Sequence, residues 1–524
     1  MAVTVEVYYE LYAMFGVAPS ILAHYGMTFR YFLTINVVGA VAGALASLAA
    51  GFADRWGRAN LVVYGTLIAS LLLLVGLPEA PDKTSYLVLF AVLSIVEGVI
   101  LVATPALVRD FSPQFGRATA MAFWNTGPIL GTLATTAIVN ATFKGSTTWQ
   151  DELRYSGIAG LVVFAAALVG LRELSPRLRD QIMVSTRDRA LVEARARGIE
   201  TSQESGSHWR QMLSLDILGS SLGAGLFLLL YFAAIGTFVV YLGTAFGYSE
   251  QRSNALLNWF WVGNLVGTLA AGLLSDFMRV RKPFILIGGL GTLAATTLFI
   301  LRTGGTPPGY YTFAWLLLAI GALYAIAYAP RLAAFTETVE RRNPAATATG
   351  LAMLGGSLRA VVAASAFLLP LVVTSVTPLV QYGPQVQTAT QQAAPALAVI
   401  DAHPQLFSEL AKYPPGAVPS ALAQQAVQEV GPKDLAVVQK AQPQLAVLKQ
   451  HGAEVQHAAK DIGGQWRTWW WVCAGGQLLF LPFAFLMTGR WRPREARADD
   501  EAHRRNVERE LAALSAQDGT VLAD

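Results

Sequence analysis

Apolar residues in this chain do not alternate with polar ones. They run unbroken for about 18 to 25 residues at a time, with the charges clustered between the runs, and a helix of that length crosses ~30 Å of hydrocarbon. Soluble helices carry a polar stripe, which most of these segments lack. The pattern predicts an all-α polytopic membrane protein with twelve spans, at residues 2–23, 28–50, 60–77, 86–106, 119–140, 157–172, 217–245, 254–274, 284–301, 311–334, 346–375 and 468–489.

Two charged turns organise these spans. Between spans 2 and 3 lies AGFADRWGRAN, Ala50 to Asn60; in the second half Gly272-Leu-Leu-Ser-Asp276 closes span 8, and Arg279, Arg281, Lys282 and Pro283 open span 9. The stretches after the fourth span of each half also correspond. One holds Pro105, Arg109, Asp110, Arg117, Ala118-Thr-Ala and Gly127; the other holds Pro330, Arg331, Glu337, Arg341, Arg342, Ala346-Thr-Ala and Gly355. Such repeats imply duplicated bundles. The first turn resembles the signature between helices 2 and 3 of the major facilitator superfamily, Gly-x-x-x-Asp-Arg-x-Gly-Arg-Arg. Asp54, Arg55, Gly57 and Arg58 fit it, while Ala50 stands for the first Gly and Ala59 for the last Arg. In the second copy Gly272 and Asp276 keep register, and Phe277 and Arg279 replace the Arg and the Gly. The resemblance implies two pseudo-symmetric six-helix bundles that face each other across a central cavity and rock about it.

Composition excludes a single soluble core: of 524 residues 54% are hydrophobic and 14% charged. A net charge of +4 and a pI near 9.0 would suit a nucleic-acid partner, but the distribution of charge argues against one. Arg55, Arg58, Arg109, Arg117, Arg279, Arg281, Lys282, Arg331, Arg341 and Arg342 fall in the connections after spans 2, 4, 8 and 10, and the other side carries only Lys83, Lys144, Arg154, Arg252 and Arg302. That asymmetry sets orientation, with the signature turns and both termini in the cytoplasm of a bacterial cell membrane. The single Cys473 forbids an intrachain disulfide. No cleavable leader is read. The resemblance implies a short cytoplasmic tail before helix 1, so the chain is expected to start inside that helix.

The expected organisation is an N-terminal bundle (1–172), a cytoplasmic linker (173–214) rich in Arg and Asp, helices 7–11 of the second bundle (215–376), an insertion (377–466), helix 12 (467–489) and a charged cytoplasmic tail (490–524). The insertion is rich in Ala, Gln, Pro and Val. Its apolar residues recur at helical spacing in pieces that Pro404, Pro414, Pro415, Pro419, Pro432 and Pro443 start or break, which predicts a small helical cap on the extracytoplasmic side. It reads either as a loosely packed addition or as a lid or docking surface for an envelope partner.

Charges inside a bilayer cost at least ~2.5 to 3.5 kcal/mol at a helix centre and turn toward protein or water. Glu97 falls at the middle of span 4 and Arg359 near the middle of span 11; Glu6 and Glu10 lie four apart on span 1, hence on one face. The resemblance implies that helices 1, 4, 7 and 10 line the cavity, which would place three carboxylates there to take up and release protons. A structural reading stands beside this one: Glu97 hydrogen-bonded to a neighbouring helix, Glu6 at the interface, Arg359 paired on a peripheral helix. Tyr8, Tyr9, Tyr231, Tyr241, Tyr324 and Tyr328 are further lining candidates, each offering an apolar face and one hydroxyl. The resemblance also implies gate contacts. Asp54 would sit near a helix N-terminus, Arg58 would pair with Asp110, with Arg117 close by, and Asp276 and Arg281 would meet Glu337, so that both turns hold the cytoplasmic side closed.

Absences narrow the function. Ser94 and Phe123 stand where drug-export branches of the superfamily carry an Arg and a Gly, no nucleotide-binding loop occurs, and no metal or cofactor ligand set is read. The sequence predicts a secondary transporter that moves a small organic solute through the lipid bilayer by alternating access, coupled to protons, with uptake favoured. The alternatives are an efflux antiporter for drugs or metabolites and a non-transporting receptor or scaffold that works through the insertion. A membrane enzyme lacks a nucleophile and base pair.

Overall fold

The structure, a computed structural model, describes residues 1–48, 57–111, 123–124, 126–172, 213–303, 308–342, 347–414 and 417–495, with a few more up to 512. Asp54, Arg55, Arg117, the side chain of Asp110, most of the linker and most of the tail lie outside the described residues. The described residues form helices throughout. Ten of these are long and apolar enough to cross a membrane and correspond to spans 2, 3, 4, 6 and 7 to 12. The stretches expected as spans 1 and 5 are also helical but shorter, as Ala2–Gly16 followed by Ala18–His24 and as Gly127–Thr142. The break at Val17 precedes Pro19, which lacks a donor and clashes with a preceding turn.

Several boundaries differ from those the sequence predicts, each for a local reason. Span 6 starts at Trp149 rather than 157, because Thr148 and Asp151 cap the helix reciprocally. Span 8 starts at Glu250 behind the N-cap Ser249. Span 10 runs from Tyr310 to Arg342, two turns beyond the expected end, and Arg331, grouped above with the connection that follows, lies well inside it. Span 12 continues the insertion without a break, as Ala453–Leu486.

The helices are apolar on the outside and partly polar within. Val169, Leu273, Leu301 and Leu45 are each more than half exposed, whereas Thr66, Ser70, Ser156, Thr292 and Thr296 are fully buried. Buried hydroxyls return to their own helix, as from Thr66 to the Val62 carbonyl (2.8 Å) and from Thr292 to that of Gly288 (2.6 Å). This distribution suits hydrocarbon surroundings, where backbone and side-chain polar groups must be satisfied internally.

The two halves repeat one packing plan. Span 2 packs on span 4, 3 on 4, 1 on 5, 3 on 6 and 1 on 6, and in the second half 8 packs on 10, 9 on 10, 7 on 11, 9 on 12 and 7 on 12. Glycines carry the closest approaches. A side chain on Gly39 or Gly98 would strike Ser94 or the Gly43 backbone, and one on Gly263 or Gly267 would strike the backbones of Leu318 or Ala322. Gly39, Gly43, Ser94 and Gly98 map onto Gly263, Gly267, Leu318 and Ala322 at one constant offset, so both halves inherit the same small-residue seam. The halves meet along span 5 with span 8 and span 2 with span 11.

The insertion folds as short helices, Val376–Gln381, Gly383–Ala402, Pro404–Leu410, Ser420–Glu429, Pro432–Lys440 and Gln442–Val447. Pro384, Pro404, Pro432 and Pro443 sit in first turns, where a missing donor costs nothing. Its cores are small: Ala393, Ala396, Val438 and Ala441 in one, Leu406, Ala426 and Val430 in the other. Thr377 and Gln381 tie it to the turn after span 1, accepting from the Phe29 amide (3.1 Å) and donating to the Gly26 carbonyl (2.8 Å).

Candidate functional site

A cavity of about 490 Å³ lies between the halves, walled by spans 1, 2 and 4 on one side and spans 7 and 11 on the other, with Trp469 of span 12. Most of the lining is apolar, from Leu11, Tyr12, Phe15, Leu33, Phe90, Phe232, Ala366 and others. Tyr8, Asn36, Ser94, Glu97, Thr237, Arg359 and Ser365 are the polar exceptions. The Asn36 amide is spent on its own helix, donating to the Phe32 carbonyl at 3.1 Å. Size and lining suit a small, largely apolar organic molecule held by a few polar groups.

Glu97 and Arg359 face this cavity from opposite halves. The contact of Gly98 with Gly43 sets span 4 hard against span 2 and so fixes Glu97 in the wall. Glu97 is 1% exposed, and neither of its carboxylate oxygens has a hydrogen-bond partner among the described residues. Arg359 is exposed, and among the described residues it pairs with no carboxylate.

Glu6, Glu10 and Tyr9 are buried behind the cavity rather than in it. Glu10 accepts from Ser70 of span 3 (2.9 Å) and lies against Gly160 of span 6. Glu6 shares that face, and Tyr9 has Glu152, Glu6 and Glu10 as electrostatic neighbours. One step of about 100° around a helix separates the faces of Tyr8 and Tyr9, and Tyr8 is the one that lines the cavity. Glu10 remains an electrostatic neighbour of Glu97.

Tyr231, Tyr324 and Tyr328 form a parallel stack in the second half, with ring centroids 5.2 Å and 5.8 Å apart and planes tilted by 17° and 14°. Arg331 closes the stack, its guanidinium carbon 4.9 Å from the Tyr328 ring centroid. Tyr324 is buried and Tyr231 and Tyr328 are partly buried beside the cavity, and Tyr8 is an electrostatic neighbour of both Tyr328 and Glu97. Sequence reasoning missed Arg331 because it counted this residue among the orientation charges after span 10, although the expected span 311–334 already contains it. Among the described residues no cluster of His, Cys, Asp and Glu has the makings of a metal site.

Residues 3–367 match the Major Facilitator Superfamily. The chain belongs to that superfamily. Among solved structures, a bacterial homologue of the human lysosomal transporter Spinster, inward-facing and unoccupied, is similar over 92% of this chain and 95% of its own, at 15% identity and a TM-score of 0.60. The occupied inward-facing form of that homologue matches over 91% and 94%, with 15% identity and a TM-score of 0.56. The E. coli xylose transporter XylE, inward open, matches over 70% and 87%, with 16% identity and a TM-score of 0.53. No curated protein matches the chain.

The superfamily turn of the second half is well defined. Arg281 reaches Asp276 (2.5 Å) and Glu337 (3.2 Å) and also donates to the Ser275 hydroxyl (2.8 Å); all four residues belong to one half. In the first half Gly57 adopts φ 89° and Arg58 is buried. At the insertion end, by contrast, span 8 reaches across to the other half. The Glu250 carboxylate accepts from the Ser20 amide (2.6 Å) and hydroxyl (2.9 Å), while the Asn254 amide donates to the Gly16 carbonyl (2.8 Å). Both meet the break in span 1, where helical hydrogen bonding is interrupted. Thr136 donates to Asn258 (2.6 Å) and Gln251 to the Asn140 carbonyl (3.1 Å).

Proposed function

We propose that this chain is a proton-coupled secondary transporter for a small, largely apolar organic solute, taken up across the cytoplasmic membrane by alternating access. Glu97 carries the reading: a carboxyl in the wall of a cavity shared by both halves, buried and without a hydrogen-bond partner. A buried carboxylate without a counter-charge is costly, so such a group takes up a proton when the cavity closes around it and yields the proton when water enters. With the insertion on the outer side, the contacts of span 8 with spans 1 and 5 close the outer end of the cavity in this reading. Rocking breaks the contacts of Glu250 and Asn254 and closes the opposite end. Likeness to Spinster and xylose transporters supports the mechanism class and leaves the solute to experiment.

The largely apolar walls favour export of apolar compounds as the second reading. Proteoliposomes containing the purified protein and an internal pH dye, challenged with organic acids, sugars, amino acids and drugs, separate the two. Solute-driven proton entry in the wild type and its loss in Glu97→Gln support uptake; proton release on solute entry supports export. Unchanged proton movement in Glu97→Gln would remove that residue from the mechanism.

A further inference from the structure

We propose that Arg331, with the tyrosine stack above it, is the site that receives a negatively charged group of the cargo, a carboxylate or phosphate carried on a planar or apolar body. This rests on the transporter reading but not on proton coupling. Arg331 is fully buried, and its side-chain nitrogens have the Tyr328 hydroxyl as their one polar neighbour, too poorly placed for a well-formed hydrogen bond, and no acid among the described residues. Its electrostatic neighbours are Tyr328 and Tyr324, with no carboxylate among them. Glu337, on the same helix, is engaged by Arg281 instead.

Several other arginines among the described residues find acids, Arg154 with Glu79 and Asp151, Arg281 with Asp276 and Glu337, and Arg342 with Asp216, while Arg359 is exposed. A guanidinium does not escape by losing its proton. Removed from water and left unpaired, it opposes the fold unless some state of the cycle supplies an anion. Its planar fork of donors matches a carboxylate or a phosphate through two parallel hydrogen bonds. The aromatic faces of Tyr231, Tyr324 and Tyr328 lead back toward Tyr8 at the cavity wall and suit an aromatic or apolar body. The anion would enter as the halves move and the stack opens to the cavity.

The test uses full-length protein in detergent, melted with and without benzoate, phenyl phosphate, benzyl alcohol or benzylamine at fixed ionic strength. Wild type is compared with Arg331→Met and with Arg359→Met. The expected result is a rise in melting temperature with benzoate or phenyl phosphate and none with the alcohol or the amine. Arg331→Met, without ligand, should melt at or above wild type, since an unpaired buried charge gives way to an apolar side chain, and it should lose the anion response. Arg359→Met should keep that response. The proposal is overturned if Arg331→Met melts below wild type without ligand, if it keeps the response, if Arg359→Met loses it instead, or if neither anion stabilises wild type. Because the readout is binding, a failure of proton coupling at Glu97 leaves it intact.

Discussion

The interface between the halves has two unlike ends. At the insertion end Glu250, Asn254 and Asn258 stand one above another on span 8, where residues four apart share a helix face, and they bond to spans 1 and 5 of the opposite half. At the other end Arg281 bonds to Asp276, Ser275 and Glu337 of its own half. The first kind of contact decides how the halves sit; the second stiffens one half so that it moves as a body. In this state Arg281 braces its own bundle, and span 8 latches the two halves at the insertion end.

Breaking the seam should have the largest effect. Glu250→Ala leaves the Ser20 amide and hydroxyl without their acceptor, and a hydrogen bond to a charged group contributes about 1.5–3 kcal/mol. The closed seam should lose about ten- to a hundredfold in population, read as reactivity of a cysteine placed at Val139, which is buried beside Gly16, with a membrane-impermeant thiol reagent in the Cys473→Ala background. Asn254→Ala should act in the same direction by about 1–2 kcal/mol, the cost of leaving the Gly16 carbonyl unpaired, in the same assay. Arg281→Gln sharpens the contrast from the other end. Its partners Asp276 and Glu337 are 72% and 41% exposed, so water and salt compensate, and the loss should be at most about 1 kcal/mol. Melting temperature should fall slightly, less so at high salt, and labelling at the seam should not change.

Much of this fold is legible in the sequence, because span length and charge clusters follow from hydrocarbon thickness. The repeated turns give the duplication, and Glu97 and Arg359 announce themselves as charges inside apolar runs. Rotation about a helix axis is less legible: Glu10 and Tyr9 sit on span 1 as expected, yet only packing decides that they turn toward spans 3 and 6 while Tyr8 turns to the cavity. The seam was missed for a different reason. Its first residue, Glu250, lies one turn before 254, where the apolar run alone starts span 8, although the spacing of Glu250, Asn254 and Asn258 is there to be read. Arg331 was lost for another reason: it lies inside the expected span 311–334 but was counted among the basic residues that set orientation.

The central claim is that closure at the insertion end and opening at the other are one motion. Spin labels at Ala23 and Arg252 report the seam, and labels at Arg172 and Arg341 report the opposite end, with distances taken by electron–electron double resonance in the Cys473→Ala background. On adding Glu250→Ala, the first distance should lengthen and the second should shorten together. A longer first distance with an unchanged second would mean that the seam frays locally, and alternating access about this cavity would stand contradicted.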